Sequence, residues 1–251
     1  MRLGMLLSVH DGSDANALTQ SAISIESAGY DSIWSAQAMG RGFMMADPLV
    51  ALTAVAAVTE TVEVGTAILQ LPLYNPADLA LKCYALAQIS GGRFILGVGA
   101  GSSRSDYDIH QADFAGRFIE FEQSLRQLRE IFVSGEANGI KLNPWASVVE
   151  GVPLYFGTWG KNVERAAKEF EGWIASGMHR TVDQVIDAID EYKKAGGGRA
   201  IVSTIQISSD TDLGEMRERL NRYREAKFDD AVVMILPGGP KLDVVRQLLD
   251  S

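Results

Sequence analysis

The sequence predicts an α/β protein, a single (β/α)8 TIM barrel in which residues 1–251 form one domain. Three observations predict it. Short apolar runs alternate with capped, amphipathic stretches about eight times, which is the barrel count. One strand–helix–strand unit, residues 63–102, carries all of its punctuation. A length of 251 residues is usual for this barrel and calls for no second domain. A doubly wound open sheet would alternate too, but it rarely repeats so often without a long insertion.

In chain order, residues 3–9 are the first strand. Asp14 is placed to cap a helix whose apolar positions, Ala15, Leu18, Ala22 and Ile25, recur at spacings of three and four before Gly29 stops it. Residues 31–35 are the second strand. A Met- and Gly-rich loop over 37–46, with Arg41 and Phe43, leads to Asp47 as N-cap and Pro48 in the first turn of a helix. Residues 64–69 are the third strand and 94–98 the fourth, both apolar enough to be buried on two faces. Between them Asn75 and Pro76 open a helix through Leu79, Leu81, Tyr84, Leu86 and Ile89, which Gly91 and Gly92 close. A long helix follows, its stripe of Phe118, Phe121, Leu125, Leu128 and Phe132 read as core. A polar link over 134–151 leads to a fifth strand at 153–156, a helix from near Lys161 and a sixth strand at 173–176. Val182, Val185, Ile186, Ile189 and Tyr192 mark the next helix, ended by Gly196, Gly197 and Gly198. The seventh strand is 200–207, its helix carries Leu213, Met216, Leu220 and Tyr223, the eighth strand is 231–236, and a last helix spans 240–249.

Composition narrows the function classes. With 47% hydrophobic and 22% charged residues, 25 glycines and no low-complexity tract, the chain reads as an ordinary folded α/β protein. A formal net charge of −9 opposes binding to nucleic acid, which needs clustered Lys and Arg to neutralise phosphates. The single cysteine, Cys83, sits mid-helix among apolar residues and reads as a small buried hydrophobe. No apolar stretch approaches ~20 residues and no cleavage-like segment follows the first strand, so a cytoplasmic protein away from the membrane is expected.

In a barrel of this kind the functional residues sit at the C-terminal ends of the strands. Those ends are oddly neutral: Ser8, His10, Ser35, Gln37, Thr66, Ala67, Gly99, Ser102, Gly157, Thr158, Ser176 and Met178. No lysine falls inside a predicted strand, against Schiff-base chemistry, and no two carboxylates end neighbouring strands, against a metal-assisted lyase or hydrolase. His10, His110 and His179 all follow strands but lack the close pairing a metal requires, and no metal is expected. The spacing of Gly97, Gly99 and Gly101 leaves backbone lining a turn that something flat or anionic would approach. The sequence YFGTWGKNVERAA passes from strand through two glycines into a helix, whose free N–H groups favour an anion at Gly157, Thr158, Gly160 and Lys161, with Ser176, Gly177 and Met178 on the next strand end.

The words VGTAILQLPLYNPADLA and ISGGRFILGVGAGSS resemble the luciferase-like flavin-dependent oxidoreductases, the superfamily of bacterial luciferase and the deazaflavin-dependent reductases. The likeness continues through GRFIEFEQSLRQLREI and VPLYFGTWGKNVERAAKEFEGWI, and so from Met1 to about Ser176; beyond that only the order of elements agrees. It implies FMN or, alternatively, a deazaflavin coenzyme bound across the strand ends, a cofactor doing the electron transfer, and a small organic substrate, with molecular oxygen as co-substrate in a monooxygenase. It also implies a non-proline cis peptide between Ala67 and Ile68, the GVGAGSS turn with Gly99, Ala100, Gly101 and Ser102 near the ring, and the Gly157–Lys161 loop at the phosphate. His110 is the expected proton donor, with Arg104 in the same loop able to meet a phosphate. The chain departs from many members where a His follows the second strand: here stand Gln37, Ala38 and Met39. It also lacks the cysteine and arginine that the luciferase subunit has in the glycine turn, which argues against light emission. A monooxygenase, a deazaflavin reductase and a non-catalytic flavin carrier all fit. A homo-oligomer is expected, and Met39, Phe43, Met44 and Met45 are expected to cover the ligand or to enter a subunit contact.

Overall fold

The computed structural model describes residues 1–8 and 14–249. Its strands are β1 (Arg2–Leu6), β2 (Ser32–Ser35), β3 (Glu63–Thr66), β4 (Leu69–Gln70), β5 (Phe94–Gly99), β6 (Glu136–Ala137), β7 (Ile140–Lys141), β8 (Leu154–Gly157), β9 (Gly172–Ser176), β10 (Arg199–Ile207) and β11 (Asp230–Ile235). The helices are α1 (Ala17–Ser27), α2 (Pro48–Val58), α3 (Pro76–Ile89), α4 (Arg104–Ile109), α5 (Arg117–Ser134), α6 (Asn162–Glu169), α7 (Val182–Lys194), α8 (Leu213–Glu225) and α9 (Leu242–Arg246). Eight parallel strands pair in the ring β1-β2-β3-β5-β8-β9-β10-β11, and β11 pairs with β1 to close it. The barrel expected from the alternation is therefore present. β4 is a two-residue extension of the third strand, and β6–β7 a small antiparallel hairpin in the link before β8.

Inside the ring, each strand or its immediate end contributes one side chain to a compact cluster: Leu6, Trp34, Ala67, Ile95, Tyr155, Ile174, Ile201 and Val232. Trp34 fills the space that Gly4 and Gly65 leave, since an added Cβ at Gly65 would fall 2.3 Å from its ring. A larger cluster packs the outward strand residues under the helices. At the N-terminal mouth, Arg2, Glu63, Arg199 and Asp230 close the barrel with mutual ion pairs. Arg93 serves the same end differently, donating to the carbonyls of Ala56, Thr59, Val62 and Ser90 and so satisfying the C-terminal turns of α2 and α3.

The capping residues read from the sequence hold at α2 and α3, where Asp47 and Asn75 each accept two backbone N–H groups. Elsewhere local chemistry shifts the boundaries. α1 starts later than expected, because Asp14 accepts from Asn16 N at 2.8 Å and closes a turn ahead of the helix. Phe118 leaves the α5 stripe and is 57% exposed; Arg117 lies over its ring instead. Leu81 and Ile89 of α3 face outward. The third strand breaks after Thr66, and the loop after β5 contains α4. The last helix is shorter than expected, ending in a 3-10 turn at Gln247–Leu249, and it docks on the chain leaving α1 through Tyr30 Oη to Leu242 O and Arg246 Nε to Gly29 O. The expected strand residue Val9 and the expected loop residue His10 lie outside the described residues.

Candidate active site at the strand C-terminal ends

The floor of the C-terminal mouth is made of backbone and small side chains. Ala67 N donates to Ser35 O at 2.9 Å, Gln37 N to Ile68 O at 3.2 Å, and Thr66 Oγ1 to Gly97 O at 2.7 Å, which joins the ends of β2, β3 and β5. The Ala67–Ile68 peptide is cis, at the position the resemblance implied. Ile68 then lies across the neighbouring strand ends: a Cβ on Gly157 would fall 2.4 Å from its Cγ2, and one on Gly99 3.0 Å from its Cδ1. A Cβ on Gly97 would strike Thr66 O at 2.0 Å, and one on Gly101 the Gln70 amide at 2.0 Å. These glycines were expected to make room for a ligand. What approaches them is the chain itself, and Ile68, which lies against Gly99 and Gly157, is partly exposed.

Behind the floor lies a buried carboxylate that sequence reasoning missed. Asp106, in α4, is fully buried and accepts from Met39 N (2.9 Å), Arg41 Nε (3.2 Å) and Nη2, and Gln70 Nε2 (2.7 Å). Gln70 N in turn donates to Gln37 Oε1 at 2.8 Å, so one cluster ties together the loops after β2, β3 and β5. Burial pushes the Asp106 carboxyl up, but the Arg41, Met39 and Gln70 bonds outweigh it and hold it below the usual carboxylate value. The Gln70 Oε1 atom is buried without a partner among the described residues. Only the length of the loop after β5 hinted that it would fold back in this way.

His110 does not join this cluster. It is exposed at the C-terminal end of α4, and its Nδ1 lies 2.7 Å from the Asp106 carbonyl, so that nitrogen carries the proton. His179 is exposed as well. Ala100 O accepts from the Tyr107 hydroxyl, and Ser102 is exposed at the loop's edge. Of the Met-rich loop, Met39, Phe43 and Met44 are exposed, Met44 by 78%, while the loop's root is pinned through Met39 and Arg41.

Across the mouth, Gly160 has φ +62° and open space where a Cβ would stand, and the exposed Lys161 is the N-cap of α6. Thr158 O is held by Trp173 Nε1 at 3.1 Å. Arg180 lies over the Trp159 ring at 4.9 Å, bringing the loops after β8 and β9 together. Gly177 N donates to Ser203 O at 2.7 Å, and Ser176 and Ser203 are register partners on adjacent strands, with Met178 exposed beyond them. Beside the end of β1, Leu6, Ser8, Ser21, Ile25, Lys241 and Leu242 line an open cleft of about 550 Å³.

Charge is distributed unevenly between the two mouths. The N-terminal arginines are neutralised by Glu63 and Asp230. At the other end Arg104 and Arg117 both lie over the Phe114 ring, at 4.9 and 3.9 Å, and neither they nor Lys161 and Arg180 make an ion pair among the described residues. In a chain of net charge −9, that rim favours an anionic ligand. A planar, partly apolar group with an anionic tail fits the arrangement: Ile68 offers an apolar face, the unpartnered Gln70 oxygen lies against Gly101, and the cations stand at the rim. The residues present thus suit a flavin or deazaflavin. No group of three or more metal-ligating side chains occurs among the described residues, and no described helix is long and apolar enough to cross a membrane.

A closed parallel barrel with its polar and charged loops gathered at the strand C-terminal ends defines the class, a (β/α)8 enzyme-type fold. The chain belongs to the luciferase-like monooxygenase family, which it matches over residues 1–233, a family of oxidoreductases. It is 27% identical over 197 residues to an F420-dependent glucose-6-phosphate dehydrogenase of Amycolatopsis mediterranei, covering 71% of this chain and 59% of that protein. The chain therefore spans about three fifths of that relative's length. In structure it is similar to an F420-dependent secondary alcohol dehydrogenase bound to an F420–acetone adduct, with TM-score 0.79, 16% identity and coverage of 99% of this chain and 98% of that one. It is also similar to the oxygenating constituent of 3,6-diketocamphane monooxygenase from Pseudomonas putida, bound to FMN, with TM-score 0.68, 20% identity and coverage of 87% and 70%. At these identities the two structures speak to the fold.

Proposed function

We propose that this chain is a flavin-dependent oxidoreductase that binds FMN over the strand ends and acts on a small organic substrate, with molecular oxygen incorporated or reduced. The observation that carries the reading is the chemical neutrality of the floor. The buried carboxylate behind it, Asp106, is saturated by Arg41, Met39 and Gln70, so among the described residues the floor offers no free acid, base or nucleophile to act alone. Such a site suits a cofactor that supplies electron transfer while the protein orients and shields it. Ile68 would support the ring, and Lys161, Arg180 and the first amides of α6 would hold the phosphate. The Met-rich loop, anchored at Asp106, would exclude water. His110 serves as proton donor in this reading only if α4 turns its ring inward, since its Nε2 is the free nitrogen.

A second reading, a deazaflavin-dependent dehydrogenase, is favoured by the F420-dependent relative at 27% identity. A flavin carrier without turnover is favoured by Ala38, which cannot supply the proton of the His found there in many members. Absorption and fluorescence spectra after addition of FMN and of deazaflavin coenzyme separate the cofactors. Turnover of the reduced complex with oxygen and a panel of aldehydes and alcohols separates enzyme from carrier. Failure of both chromophores to bind would refute the reading.

Self-association belongs to the same proposal. α2 is apolar on every side, and helices of that kind are normally covered. Its Val50 (68% exposed) and the outward Leu81 and Ile89 of the adjacent α3 offer a face for a second copy of this chain. Sedimentation should show a dimer that Val50→Glu with Leu81→Glu converts to monomer.

A further inference from the structure

One residue on the functional side is held in a backbone conformation its side chain disfavours. Thr204 in β10 has φ +62°, a left-handed geometry that glycine or asparagine adopts freely and a β-branched residue does not. The cause is a bulge. Against β11, Val202 pairs with Ala231 and Ile205 with Val233, so three steps on β10 face two on its neighbour.

The bulge changes what faces the mouth. Ile201 belongs to the cluster inside the barrel, whereas Val202, Ile205 and Ile207 pack outward under the helices. Strict alternation from Ile201 would turn Ile205 and Ile207 inward; the extra residue keeps them out. It also sets the buried Ser203, two residues beyond the inward Ile201, beside Thr204, which alone of the two is partly exposed. Their hydroxyls stand 3.5 Å apart, at the outer limit of a hydrogen bond, and Ser203 is 1% exposed. Ser176, the register partner of Ser203, adds a third hydroxyl at the end of β9. Around the ring β10 stands four strands from β3 in either direction, directly across the mouth from the Ala67–Ile68 peptide.

Resting on the reading above, we propose that the Thr204 hydroxyl, backed by the buried Ser203 hydroxyl, forms a subsite for the carbonyl and N–H edge of the ring that FMN and deazaflavins share. A group lying on Ile68 and extending across the mouth would reach β10 at Thr204. Hydroxyls can donate to the ring's carbonyl oxygens and accept from its N–H, which the apolar floor cannot do. A purely structural bulge has no use for a branched hydroxyl side chain at positive φ.

The test uses Thr204→Gly, Thr204→Val, Thr204→Ser and Ser203→Ala in the full chain, with thermal unfolding of the ligand-free protein and fluorescence titration of FMN, riboflavin and coenzyme F420. Thr204→Gly should raise Tm by relieving the strained φ, yet weaken binding of the cofactor the wild type accepts roughly three- to tenfold, the range for one lost hydrogen bond. Thr204→Val should weaken it similarly without raising Tm, Ser203→Ala should weaken it too, and Thr204→Ser should retain affinity. If FMN is the ligand, riboflavin should show the same loss, because the contact is to the ring. A more stable Thr204→Gly with unchanged affinity overturns the subsite alone, as does a Thr204→Val that binds normally. A wild type that binds none of the three ligands overturns the functional reading and the subsite with it.

Discussion

Gln70 and Asp106, 36 positions apart in sequence, meet at 2.7 Å through the Gln70 amide and the Asp106 carboxylate, and on this contact the loops behind β2, β3 and β5 converge. The carboxylate is fully buried while Arg41 keeps a third of its side chain in solvent. Asp106→Ala should therefore cost about 2 to 3 kcal/mol, below the 3 to 5 typical of a fully buried broken pair, because Arg41 can turn to water. Urea unfolding measures it. A cost under about 1 kcal/mol would mean that the cluster does not hold the loops.

Acid should unfold the protein through carboxylates held by arginine. Burial raises Glu63, but hydrogen bonds from Arg199 and Arg2 outweigh it and lower its pKa; Asp106 is lowered in the same manner. With folded values below unfolded ones, their contribution is complete above the ordinary carboxylate range near about 4. It is lost as pH falls through the lowered folded values. Unfolding free energy measured from pH 7 down to pH 3 should drop, and Glu63→Gln should flatten part of that slope. An unchanged slope in the variant would contradict the assignment.

Gly97 and Gly160 should behave in opposite ways when replaced by alanine. At Gly97 the new Cβ meets the Thr66 carbonyl at 2.0 Å, a backbone atom that cannot yield without moving the third strand. Gly97→Ala should lower stability by roughly 2 to 3 kcal/mol, as overpacking does. At Gly160 only the positive φ opposes it, at about 1 kcal/mol. Denaturation curves of the two variants would give the ranking; equal costs would show that the floor is looser than the geometry implies.

Gly160→Leu separates binding from folding. Its side chain would enter the open space before α6, so cofactor affinity should fall by more than tenfold while stability changes by only about 1 to 2 kcal/mol. Riboflavin, which lacks the phosphate, should lose less than FMN. Unchanged FMN and deazaflavin affinity in the folded variant would remove the phosphate from this loop.

Much was legible in the sequence because it depends on neighbours along the chain. Apolar runs mark strands, Asp47 and Asn75 cap helices using N–H groups two and three residues on, and paired glycines end α3. Eight such units in a row are the count of a closed barrel, which an open sheet rarely reaches without a long insertion. The neutral character of the strand ends was equally visible. The cis Ala67–Ile68 peptide came from resemblance, not from any local rule.

Tertiary structure decided what depends on residues far apart in the chain. Whether Phe118 joins the α5 stripe depends on where Arg117 lies, and whether Gly97 faces ligand or protein depends on Thr66, 31 positions earlier. Asp106 reads as one more loop carboxylate until Met39, Arg41 and Gln70 arrive from two other loops to compensate its burial. Thr204 looks like an ordinary strand threonine; only the register of β10 against β11 inserts the extra residue and holds Thr204 at positive φ, its hydroxyl beside that of Ser203. The sequence by itself determined the eight strand–helix units of the barrel, though not α4 or the β6–β7 hairpin, because hydrogen bonding and side-chain alternation act over a few residues. Side-chain partners, burial and register were settled by closure of the ring, which brings together groups that no spacing along the chain relates.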